Sequence, residues 1–160
     1  MKPRLYLETT IPSYLVARRS RDLRLSADQA DTEEWWEERR NDFELYTSEV
    51  VLVEARRGDP TMAAARIEKL RGIPIVARLP VAEKLAAQLL ARGTIPPNAA
   101  DDAAHLGLAA ANAMDYLLTW NCTHINNPAL RRRIEQVCGS CGLVCPVICT
   151  PCELLMRGKS

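Results

Sequence analysis

The stretch Asp101-Asp102-Ala103-Ala104-His105, together with Asp115-Tyr116-Leu117-Leu118-Thr119-Trp120-Asn121-Cys122-Thr123-His124 downstream, decides the fold. Acidic residues open a helix of small side chains, a short apolar strand follows, and polar groups stand at its exit. The same alternation recurs outward from this stretch. Arg4 to Leu7 reads as the first strand, with Glu8 at its exit and Pro12 suited to the first turn of a following helix. The charged segment from Asp28 to Arg40 has helical character, and Phe43 to Tyr46 is short enough to be a strand or a helix lead-in. Ser48 is placed to cap a helix carrying Glu54, with Glu49 favourable against the helix dipole. Gly58-Asp59-Pro60 ends that helix, and Pro60 starts another that runs to about Arg71. Ile73 to Ala77 reads as a strand and Val81 to Ala91 as a helix closed by Gly93-Thr94-Ile95-Pro96-Pro97. Asn98 to Met114, Tyr116 to Thr119, Pro128 to Val137 and Leu143 to Ile148 then read as helix, strand, helix and strand. This order predicts an α/β fold with a mostly parallel central sheet, without internal repeats or an interdomain linker.

A chain of 160 residues, 48% of them hydrophobic, can bury one sizeable core, so residues 1–160 are expected to form a single domain. No run approaches the ~20 apolar residues of a membrane helix, and the amino terminus has no apolar signal segment, so a cytoplasmic protein is expected. The formal charge of +1 means that bulk electrostatics does not favour nucleic acid. Any RNA affinity has to come from local groups such as Arg56, Arg57 and Arg131-Arg132-Arg133, which otherwise form solvated helical faces.

In open parallel sheets, ligands bind beyond the carboxyl ends of the strands. Glu8 and Asn121 follow two strands directly, while Glu54 and Asp102 lie on helices that could face the same cleft. Three gathered carboxylates repel one another unless a cation sits between them, and hard oxygen ligands suit Mg²⁺ or Mn²⁺. Asp101 and Asp102 point about 100° apart on a helix. With Asn98 as the cap, Asp101 is assigned to a capping role. Asp115 precedes its strand, about 13 Å from Asn121, and reads as a turn residue.

Glu8 with its strand, Ser48 to Glu54, Asp102-Ala103-Ala104-His105 and Thr119 to Asn121 together resemble the PIN-domain nucleases, most closely VapC-type toxins of toxin–antitoxin pairs. The likeness covers nearly the whole chain and extends to Thr32-Glu33-Glu34-Trp35-Trp36, Arg56-Arg57-Gly58-Asp59-Pro60 and Cys149-Thr150-Pro151-Cys152-Glu153-Leu154-Leu155. It implies a three-layer α/β/α PIN-like fold and an endoribonuclease that uses Mg²⁺ or Mn²⁺ to cleave RNA. It also implies a small antitoxin partner and a homodimer. Carried over by position, the catalytic and metal-binding quartet is Glu8, Glu54, Asp102 and Asn121, supported by the hydroxyls of Thr10 and Thr119. Two positions depart from the usual pattern. Glu8 stands for Asp and is longer by a methylene group, and Asn121 offers a carbonyl oxygen without charge, which weakens metal binding and favours one held ion over a pair.

His105, one turn after Asp102, is a candidate to orient that carboxylate or contact phosphate, against the plainer role of a helix histidine with a local hydrogen bond. His124 is a candidate phosphate or leaving-group contact. Trp35 and Trp36 are open to a partner surface or the core. Cys138-Gly139-Ser140-Cys141 and Cys149-Thr150-Pro151-Cys152 offer paired C-x-x-C elements, but their connection is shorter than in common zinc sites, so reduced thiols are expected. Two other functional readings remain: a PIN-fold RNA- or protein-binding regulator with weakened or lost catalysis, and a zinc-stabilised interaction module.

Overall fold

The computed structural model describes residues 1–156. Its central sheet contains β1 (Arg4–Leu7), β2 (Glu44–Tyr46), β3 (Tyr116–Leu118) and β4 (Val147–Cys149), in the order β2-β1-β3-β4 and parallel throughout. Leu5 pairs with Leu45 on one side and Tyr116 on the other. Parallel neighbours need crossover connections, and here helices supply them. From β1 the chain crosses to β2 by α1 (Thr10–Val16) and α2 (Leu23–Glu38). It reaches β3 through α3 (Glu49–Ala55), α4 (Pro60–Leu70), α5 (Pro80–Ala91) and α6 (Ala100–Ala111), then β4 through α7 (Pro128–Ser140), and α8 (Pro151–Met156) follows.

Strand alternation sorts the apolar residues onto two faces. Tyr6, Leu117 and Ile148 join Val51, Leu85, Leu89, Leu106 and Ile134 in one core; Leu5, Leu7, Leu118 and Cys149 join Ile11, Trp35, Trp36, Leu154 and Leu155 in the other. Helices therefore cover both faces, giving the expected α/β/α layering. Trp35 and Trp36 both belong to the core. At the contact between α5 and α6, a Cβ on Gly107 would lie 2.3 Å from the Ala82 carbonyl oxygen, so only glycine permits this approach. No helix among the described residues is long and apolar enough to cross a membrane.

Local chemistry moves several expected boundaries. α2 begins at Leu23, because the Asp22 carboxylate caps it by accepting from the Leu25 amide at 2.9 Å. Ile73 to Ala77 contributes only a parallel bridge between Ile75 and Thr47, consistent with Pro74 having no N–H to extend a ladder. The expected strand from Leu143 shortens to β4, since Gly142 takes a positive φ of 72° and Pro146 also lacks a donor. Asn98 is not the cap of α6: a short 3₁₀ turn at Pro97–Ala99 leads in, and Ala99 takes the cap position without a side-chain bond. The capping role expected of Asp101 is therefore corrected, and its carboxylate instead pairs with Arg57 at 3.3 Å.

Candidate metal centre

The strand order reverses direction at β1 and β3, where the chain builds first to one side of β1 and then to the other. Such a switch point opens a crevice at the carboxyl ends of the two strands. Glu8 leaves β1 there and Thr119 leaves β3 beside it. Glu8 is 3% exposed, and its Oε1 accepts from the Thr10 amide at 3.0 Å, the Thr10 hydroxyl at 2.5 Å and the Thr119 hydroxyl at 2.7 Å. Trp120 N donates to Thr10 Oγ1 across the crevice, and Asn121 N donates to Thr119 Oγ1 within the exit of β3, each at 2.9 Å. Glu8 is thus held by one oxygen, while Oε2 accepts no hydrogen bond from the described residues.

Glu54 arrives from α3, whose start is fixed by Ser48 Oγ accepting from the Val51 amide at 3.2 Å. Its Oε1 accepts from the Thr9 hydroxyl at 2.7 Å and meets His105 Nε2 at 2.5 Å. Burial opposes ionisation of the Glu54 carboxyl, but hydrogen bonds from His105 and Thr9 and the nearby Arg57 outweigh it and hold the group below its ordinary range. Burial likewise opposes charge on the fully buried His105, yet Glu54, Glu8 and Asp102 overcome it and hold the imidazole above its ordinary value. An imidazolium facing Glu54 donates through Nε2, and its Nδ1–H then donates to Tyr6 Oη at 2.7 Å. Tyr6 passes its own proton toward Ser48 Oγ, also at 2.7 Å. Burial pushes the Tyr6 phenol well above its ordinary value, so it remains a neutral link in this buried chain.

Ligand atoms of Glu8, Glu54 and His105 all lie within 4.8 Å of one another, a spacing that suits one metal ion; while His105 donates from both nitrogens, the two carboxylates are the donors open to it. Asp102 is outside that set, but it shares with Glu54 and His124 the lining of a cleft of about 330 Å³. Its Oδ2 lies 3.0 Å from His124 Nδ1, so the residue that His105 was expected to orient is partnered by His124. His105 instead reaches across to α3. Asn121 Oδ1 accepts from the His124 amide at 3.1 Å, and Asn121 O accepts from Asn126 N at 2.8 Å, so this residue pins the loop beyond β3. Trp120 anchors the same loop, stacking on Tyr14 and donating from Nε1 to Thr32 Oγ1 at 2.8 Å.

Sequence reasoning missed Thr9 as a support of Glu54 and the hydroxyls of Tyr6 and Ser48 behind His105. The run Glu8-Thr9-Thr10 was the available signal for the first. The cysteines form no group of three potential ligand atoms among the described residues; Cys138 and Cys145 instead share a hydrogen bond that lowers the first thiol and raises the second. Arg131 donates to Asn126 Oδ1 at 2.6 Å, while Arg56, Arg132 and Arg133 are exposed. No protein-family model matches the chain, and no curated protein matches it.

Proposed function

We propose that this chain is a PIN-like, metal-dependent endoribonuclease acting as the toxin of a toxin–antitoxin pair. The observation that carries the reading is the convergence of Glu8, Glu54 and His105 at the β1/β3 switch point, with Asp102 in the adjoining cleft. Oxygen donors dominate this set and fit Mg²⁺ or Mn²⁺. Glu8 and Glu54 would hold the ion, and Asp102, which shares the cleft with Glu54, would offer a further oxygen donor. When bound, the ion would lower the pKa of a water and stabilise negative charge on the phosphate being attacked.

The protein's own part is to fix these groups. Thr10 and Thr119 clamp one Glu8 oxygen and leave the other without a hydrogen bond, and Thr9 with His105 does the same for Glu54, which lines the cleft. Asp102 keeps His124 beside the cleft, where its remaining nitrogen is suited to a phosphate oxygen or a leaving group. A cytoplasmic homodimer restrained by a small antitoxin completes this proposal.

A second reading, a PIN-like RNA-binding regulator without catalysis, draws on one specific observation. The Asn121 Oδ1 atom expected as the fourth ligand already accepts from the His124 amide. Incubating the purified chain with single-stranded RNA and Mn²⁺ or Mg²⁺ separates the two. The nuclease cleaves internally and stops when EDTA is added, whereas the regulator binds RNA and leaves it intact. Co-expression with a short neighbouring open reading frame should yield a stable complex with suppressed cleavage; growth arrest that this partner does not relieve would refute the toxin assignment.

A further inference from the structure

Beside the acidic cleft lies a separate hollow of about 200 Å³, and Asp101 lines both spaces. Val50, Val53, Val76 and Leu108 supply its apolar lining, and Glu49, Arg57 and Arg78 join Asp101 in supplying charge. The two arginine side chains are largely in solvent, 63% exposed for Arg57 and 72% for Arg78, with partners Asp101 at 3.3 Å and Glu83 at 3.6 Å. Ion pairs this exposed contribute little, so a ligand can replace them without a large loss. The carboxylate of Glu49, exposed in the first turn of α3, makes no hydrogen bond or ion pair with the described residues.

We propose that this hollow receives a guanine base of the RNA whose phosphate enters the neighbouring acidic cleft, an assignment that rests on the nuclease reading. A planar ring suits a small apolar space, and single-stranded RNA presents bases splayed out with both hydrogen-bonding edges available. Guanine joins an acceptor pair, O6 and N7, to a donor pair, N1–H and the N2 amino group. The first is the preferred bidentate partner of arginine, and the second meets a carboxylate. Arg78, the more exposed of the two arginines and the one with the looser ion pair, provides this combination with Glu49. Adenine lacks the adjacent acceptor pair, and the pyrimidines lack the imidazole ring that carries N7. The base contact would select the cleavage position, while the acidic cleft performs the chemistry.

The test is a titration of methyl-labelled full-length protein with 5′-GMP, 5′-AMP, 5′-CMP and 5′-UMP in EDTA, followed by NMR. GMP should bind about tenfold more tightly than the others, the ratio that one bidentate contact supplies. Its shifts should centre on the methyl groups of Val50, Val53 and Leu108. Glu49→Gln and Arg78→Ala, both at exposed positions, should each erase most of that preference. Equal affinity for all four nucleotides, binding that leaves these methyls unmoved, or no binding overturns the guanine subsite. Because no divalent ion or cleavage enters the measurement, such a failure is distinct from failure of the nuclease reading, which the metal-dependent cleavage assay decides.

Discussion

Replacing His105 with Leu removes the cationic partner of Glu54 while roughly preserving side-chain bulk. Tyr6 retains its bond to Ser48, but Glu54 keeps only Thr9, and the Glu8 and Glu54 carboxylates are left without the imidazolium beside them. Breaking a buried charge pair from one side typically destabilises by about 3–5 kcal/mol. The Glu54 side chain is 19% exposed, so solvent screens part of the loss and the lower end, about 3 kcal/mol, is expected. The loss should depend on pH. The His105 contribution is fully present below its ordinary pKa of 6.5 and disappears as pH rises through the raised folded value. The Glu54 contribution is present above 4.5 and disappears as pH falls through the depressed folded value. Urea denaturation in EDTA should therefore give the largest difference between wild type and His105→Leu between these two ordinary values, and a smaller one in alkali. A difference under about 1 kcal/mol, or one that does not vary with pH, would refute the ion-pair argument.

Three further substitutions test separate parts of the structure. Gly107→Ala should destabilise the chain by about 2 kcal/mol in urea melts, because the 2.3 Å approach to Ala82 O forces α5 from α6 and exceeds the helix-propensity gain; a neutral result would contradict the packing described. Thr119→Val removes a donor to Glu8 and the acceptor of Asn121 N, so Mn²⁺ affinity measured by calorimetry should fall about tenfold. Asn121→Asp retains an acceptor for the His124 amide and adds charge, and it should tighten Mn²⁺ binding without lowering stability; unchanged affinity would separate Asn121 from the metal.

The features legible in the sequence were those set by local rules. Glu8 had to emerge where an apolar run ended, and Ser48 signalled the start of the helix that carries Glu54, so the positions of both carboxylates followed from strand exits and caps. The pairing of His105 with Glu54 depends on how α3 lies against α6, which residue spacing within either helix does not encode. Strand alternation explains the burial of Tyr6, but nothing local reveals that its hydroxyl links Ser48 to His105. Which of two adjacent threonines serves which glutamate depends on the turn leaving β1. The misplaced start of α6 has a similar origin: Asn98 is a favourable capping residue by type, but the 3₁₀ turn at Pro97–Ala99 delays the helix.

The most direct test of the central claim is a side-by-side ribonuclease assay of the wild-type chain, Glu54→Gln and Asp102→Asn with single-stranded RNA and Mn²⁺, with circular dichroism verifying folding. The wild type should cleave internally and lose that activity on chelation, and neither folded variant should cleave. Undiminished cleavage by both variants, or wild-type cleavage that persists in EDTA, would contradict the metal-dependent nuclease reading.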